Sequence, residues 1–212
     1  MRFFYIIIIA ALTACQSSPK MDASKTEIKE SHVEKGDYLF VGTYTRKEGH
    51  VDGKGKGIHI LKWNAADQSL TPHMIITGPV NPSYIAVHPT KPVVYTVNEV
   101  ADDTPDYIGT IQAYKYDLEA MTFEKISESA SMGDAPCHIS IAEDGLQLLV
   151  ANYVGGSIAS YSIREDGSIS NATGAYSNEK TTPTTSRQEA GHAHMVKAIP
   201  GTSNILMSDL GT

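Results

Sequence analysis

The chain has 212 residues and a formal charge of −7, with 17 Lys and Arg set against 24 Asp and Glu. No basic run stands anywhere past the first segment, so a nucleic-acid partner has little electrostatic support. Once the first segment is set aside, the remaining length corresponds to one domain.

Taken in chain order, residues 1–14 read as addressing rather than fold. Arg2 supplies a positive start, residues 3–12 are apolar, and Leu12-Thr13-Ala14-Cys15 closes the run with small residues. The apolar run is too short to cross a bilayer as a helix, which takes about 20 residues. The stretch resembles a bacterial lipoprotein signal. That resemblance implies acylation of Cys15 as a membrane anchor, and Gln16 after it implies an outer-membrane site facing the periplasm or exterior. Residues 15–36 are rich in Ser, Lys and Glu and cannot bury enough surface to offset their ordering entropy, so they are expected to be a flexible tether. With Cys15 lipidated, Cys137 has no disulfide partner; it reads as a small buried residue, with a reactive thiol as the alternative.

Residues 37–212 are expected to be all-β. Asn81-Pro82-Ser83-Tyr84-Ile85-Ala86-Val87, Ala135-Pro136-Cys137-His138-Ile139-Ser140-Ile141 and His192-Ala193-His194-Met195-Val196-Lys197-Ala198 each open on a turn and continue as a short apolar strand. A second strand follows in each, ending on Asn98, Asn152 or Asp209, and residues 38–44 look like the same strand with no first strand ahead of it. Third strands begin at Ile58, Ile111 and Ile158, and fourth strands open near Leu70, Phe123 and Ile169. Four short antiparallel strands recurring about every 50 residues are the pattern of a β-propeller blade. About three to four blades are expected here, and since 4 to 8 close a ring, the strand count implies truncation at the C-terminus.

With the strands placed, the motifs Val41-Gly42-Thr43-Tyr44-Thr45, Tyr95-Thr96-Val97-Asn98-Glu99, Ala151-Asn152-Tyr153-Val154-Gly155-Gly156-Ser157, Gly191-His192-Ala193-His194 and Ser208-Asp209-Leu210-Gly211-Thr212 become specific. In this order they resemble the lactonase family of seven-bladed propellers, which includes bacterial 6-phosphogluconolactonases and fungal carboxy-muconate cycloisomerases. The resemblance implies hydrolysis of a sugar lactone in carbohydrate metabolism, with a small-molecule lactone as partner and no cofactor. A non-catalytic tethered binding module and a muconate-type cycloisomerase stay open as alternatives. A phosphorylated sugar is cytosolic whereas a lipid-anchored protein is not, so the identity of the lactone also stays open.

Lactone hydrolysis needs a base to activate water, a donor for the oxyanion and, for a phosphorylated substrate, a cation near the phosphate. Imidazole suits the first because it titrates near neutral pH. His192 and His194, two apart at the start of a first strand, are expected on one side at the channel mouth. The family's His-x-His motif implies His194 as acid/base, with His192 as runner-up. A histidine satisfied by a backbone carbonyl and half of a metal site are the alternatives; no third ligand stands at clear spacing, so no metal is expected. Glu99 is expected to face the channel and orient a histidine or hold water. Arg187, Asn152 and Arg46 are candidate substrate contacts. Against them stand a solvated surface for the arginines and turn capping for Asn152, shared with Asn98 and Asp209. His138 is expected to be packed.

Overall fold

The structure is a computed structural model that describes residues 37–49, 51–101, 109–178 and 185–212. Cys15, with the expected signal and tether, lies outside the described residues.

Thirteen strands occur among the described residues, every pairing between them antiparallel. Blade 1 holds β1 (Asp37–Val41), β2 (Ile58–Asn64) and β3 (Ser69–Ile76), in that order. Blade 2 holds β4 (Ile85–Val87), β5 (Val93–Asn98), β6 (Thr110–Asp117) and β7 (Thr122–Ala130). Blade 3 repeats that meander with β8 (Pro136–Ile141), β9 (Gln147–Asn152), β10 (Ser157–Ile163) and β11 (Ile169–Ser177). The β12 (Ala193–Ala198) and β13 (Ile205–Asp209) hairpin forms blade 4. Blades 2 and 3 are the four-stranded antiparallel units expected from the repeat; among the described residues blade 1 has three strands and blade 4 two.

The second strands show why this sequence stacks blade on blade. Every residue of β5 is buried. Val93, Tyr95 and Val97 face Ile139, Leu148 and Val150 of blade 3, while Val94 packs with Ile58 and Ile60 of blade 1. A strand covered on both faces reads as a near-continuous apolar run, and Val93-Val94-Tyr95-Thr96-Val97 is one, broken only by Thr96, whose hydroxyl is satisfied by the Val97 carbonyl. β9 does the same one blade on: Leu148 and Val150 face blade 2, whereas Leu149 and Ala151 meet Ala193 and Val196 of blade 4. Each such side chain contributes roughly 1.5–3 kcal/mol on full burial. Tyrosine hydroxyls stitch the blades further: Tyr95 donates to the Gly167 carbonyl at 2.8 Å and Tyr161 to that of Ala130 at 2.7 Å.

Two bulges recur. Between the third and fourth strands the register shifts after Ile60, Ala113 and Ser160, the same place in three blades. Between the first and second strands it shifts around Cys137 in blade 3 and around His194 in blade 4. A bulge inserts one unpaired residue and bends the strand. The first strands β4, β8 and β12 lie side by side, with Tyr84 and His138 ring centroids 4.4 Å apart and Ser140 donating to the Val196 carbonyl at 2.7 Å.

Candidate functional site

The site is built on the ends of the second strands. Asn98 pairs with Thr110 and donates Nδ2 to its hydroxyl at 2.8 Å; Asn152 pairs with Ser157 and does the same at 3.0 Å. Thr43 stands at this position in blade 1, donating to the Gly57 carbonyl at 2.7 Å. In blade 4 Asp209 Oδ1 accepts the N–H of His192 at 2.9 Å and that of Gly211 at 2.7 Å. Thr43, Asn152 and Asp209 thereby cap internal backbone, while Asn98 braces the neighbouring strand through the Thr110 hydroxyl. The expectation that Asn152 touches substrate is therefore corrected: it is wholly buried, its second amide contact goes to the Ser131 carbonyl at 2.9 Å, and it is a strut.

The residue following each strut is Tyr44, Glu99, Tyr153 or Leu210. Tyr153 gathers the site around itself. Its ring stacks on His192, with centroids 4.6 Å apart and planes 15° from parallel, and meets His194 edge-on at 5.6 Å. His192 Nδ1 lies 3.1 Å from the Tyr153 carbonyl oxygen and Nε2 lies 3.2 Å from Glu189 Oε1. Arg187 Nη2 donates to the Tyr153 hydroxyl at 3.2 Å. The turn at residues 154–156 lets this packing close: a Cβ on Gly156, where φ is +56°, would stand 2.6 Å from the Gly191 carbonyl oxygen.

The two imidazoles do share a neighbour, but strand alternation is not the reason. His192 precedes β12, and the bulge at His194 breaks the pleat between them. Their surroundings differ as well. His192 has both ring nitrogens beside acceptors, whereas the exposed ring of His194 makes no hydrogen bond among the described residues. The carboxyl of Glu189 is held below its ordinary range, first by its own backbone N–H and then by His192.

Among the described residues Glu99 makes no hydrogen bond or ion pair with either histidine. Its carboxylate accepts a hydrogen bond from the Tyr44 hydroxyl, and its charge adds to burial in pushing the Tyr44 phenol up. Burial first and Glu99 second also push the Cys137 thiol up to about 12. Cys137 Sγ points at the carbonyls of Ala193, at 3.5 Å, and His194, at 3.7 Å. A thiol so placed stays protonated. His138 is packed as expected; burial, then His194 and Lys197, hold its pKa down to about 4.

Arg187 joins the histidine group, and Arg46 does not. Arg46 Nε donates to Glu48 Oε1 at 2.6 Å, and Asn81 Nδ2 donates to the same oxygen at 2.8 Å. Asn81 Oδ1 also accepts the N–H groups of Thr45 and Arg46, at 2.9 and 3.2 Å, so the arginine's loop is fastened to blade 2. Tyr153, Glu189 and Tyr44 were missed by sequence reasoning. For the two tyrosines the available signal was the position after each strut, which is aromatic or acidic in three repeats; Glu189 carries no such signal. No group of three or more His, Cys, Asp or Glu among the described residues is arranged to hold a metal ion.

The histidine pair at the end of a blade, beside a polar ring of strand ends, fits a propeller enzyme. Residues 38–212 match the family described as lactonase, 7-bladed beta-propeller. The chain belongs to this lactonase family. A relative, the 6-phosphogluconolactonase of Bacillus subtilis strain 168, is 25 % identical over 172 residues, 81 % of this chain and 46 % of its own. Among solved structures, the periplasmic gluconolactonase of Pseudomonas aeruginosa superposes with a TM-score of 0.71 at 29 % identity, over 83 % of this chain and 47 % of that one. A Bacteroides fragilis protein provisionally named a 6-phosphogluconolactonase gives 0.72 at 29 % identity, over 86 % and 48 %. This lactonase-family chain thus spans just under half the length of these relatives.

Proposed function

We propose that the complete protein hydrolyses a sugar lactone, with His194 as the group that moves the proton. The observation that carries this reading is the exposed imidazole of His194, which makes no hydrogen bond among the described residues and meets the same Tyr153 side chain as Arg187 and His192, in a chain of the lactonase family. His194 takes a proton from water, and the resulting hydroxide attacks the lactone carbonyl carbon. The tetrahedral intermediate then expels the ring oxygen, which takes the proton back from the imidazolium. Arg187 offers its remaining N–H groups to an anionic or oxygen-rich part of the substrate. His192 is held on both nitrogens, and Glu99 and Tyr44 form a separate hydrogen-bonded pair.

The names of the relatives support gluconolactone and its 6-phosphate as the substrates to try first. The lipoprotein-type leader supports a lipid anchor on Cys15 at the outer membrane, and the periplasmic relative fits the same compartment. Gluconolactone then suits the location better than its phosphate ester. Steady-state hydrolysis of both lactones by the complete protein tests the reading. Turnover of either above the spontaneous rate is expected, with gluconolactone preferred. No acceleration of any aldonolactone overturns it. For the anchor, palmitate labelling should appear on the natural protein and vanish in Cys15→Ser.

A further inference from the structure

We propose that Tyr153 is the positioning residue of the site, one side chain that sets the spacing between the proton-transfer group and the cation. This rests on the lactonase reading above for its kinetic consequences, but not for its geometry. Three different parts of the side chain are in use: the face on His192, the side toward His194, and the hydroxyl on Arg187. The backbone joins in, because the Tyr153 carbonyl takes His192 Nδ1 and the Tyr153 N–H donates to the Ala135 carbonyl at 2.8 Å. His192 is therefore fixed at two points by a single residue.

The fold does not call for a tyrosine here. The equivalent positions in the other repeats hold Glu99 and Leu210 as well as Tyr44, and the strand end is already capped by Asn152. What distinguishes the Tyr153 position is its neighbour, the β12 entry with both histidines and the 185–191 segment carrying Arg187 and Glu189. That segment is pinned to the blades through this residue on two sides: Arg187 to the hydroxyl and, through His192, Glu189 to the ring. The ring and hydroxyl then have separable duties. The ring orients the imidazoles, so its loss acts on the chemical step, while the hydroxyl holds Arg187, so its loss acts on substrate capture.

Tyr153→Phe and Tyr153→Leu in the complete protein separate these duties. Tyr153→Phe should raise KM about tenfold with kcat held within about twofold, the size of one lost charge-assisted hydrogen bond. Tyr153→Leu should lower kcat about a hundredfold, the cost of misplacing a reacting group by about an ångström. A readout independent of turnover is the NMR shift of the His192 ring protons. A stacked aromatic ring moves them upfield; Phe should preserve that shift and Leu should abolish it. If the natural protein turns over no lactone, the lactonase reading fails and the ring-proton shifts alone decide the role of Tyr153. Should the Leu variant not fold, Tyr153→Phe combined with Arg187→Gln decides: the KM effects should overlap rather than multiply. Multiplying effects, an unmoved His192 shift in Tyr153→Leu, or equal kcat losses in the Phe and Leu variants would each overturn the proposal.

Discussion

Asp209 accepts the backbone N–H of His192 through Oδ1 at 2.9 Å, tying the end of β13 to the entry of β12 where the two histidines sit. The same oxygen takes the Gly211 N–H, while Oδ2 is buried without a hydrogen-bond partner among the described residues. Asp209→Ala removes the acceptor for both donors and should cost about 1.5–3 kcal/mol. Asp209→Asn keeps one oxygen for them, and Asn occupies this position in blades 2 and 3, so its cost should stay below about 0.5 kcal/mol. Urea midpoints of the two variants against the natural chain check this. An alanine variant as stable as the natural chain would remove Asp209 from the account.

His138 makes stability depend on pH in a defined direction. Its ordinary value is 6.5 and its folded value about 4, set by burial first and then by the charges of His194 and Lys197. Between those values the unfolded chain binds the proton and the folded one does not, so stability is full above about 6.5 and falls as pH drops toward 4. The loss is on the order of 2 kcal/mol. His138→Phe keeps a ring against Tyr84 and removes this titration, so its stability should decline less between pH 7 and pH 4.5. Part of the slope remains, because burial also lowers the pKa of His88. Parallel pH curves for the two proteins would contradict the burial argument.

The turns between third and fourth strands use a left-handed residue at the same place in each blade: Gln68 at φ 54°, Met121 at φ 54° and Gly167 at φ 88°. Glycine adopts this conformation without penalty, whereas other residues pay roughly 1–2 kcal/mol, partly offset by glycine's greater freedom when unfolded. Met121→Gly should therefore stabilise by about 0.5–1 kcal/mol. Gly167→Ala should do the reverse and by more, since its Cβ would also stand 2.7 Å from Val93 Cγ2. Thermal midpoints that move in these opposite directions bear out the turn assignment, and a stabilising Gly167→Ala would refute it.

The blades were readable in the sequence because two-sided burial forces unbroken apolar runs such as Val93-Val94-Tyr95 and Leu148-Leu149-Val150. The repeating struts Asn98, Asn152 and Asp209 were readable too, as capping residues at one register. The site was only partly so. His192, His194 and Arg187 stand out by residue type, but their common neighbour Tyr153 comes from another blade, and contact between blades leaves no local period. Glu99 illustrates the same limit, since its partner Tyr44 lies in blade 1. The bulge that sets His194 apart from the pleat has no residue signature of its own, for the register shift is decided by pairing with β13.

Central to this account is that the His194 imidazole moves the proton in lactone opening. The most direct measurement is kcat for gluconolactone hydrolysis by the complete protein and its His194→Ala variant, taken at neutral pH beside a circular dichroism spectrum that confirms the fold. A fall in kcat of about 10²–10⁴ with KM little changed is expected. A folded His194→Ala protein that turns over at the natural rate would contradict it.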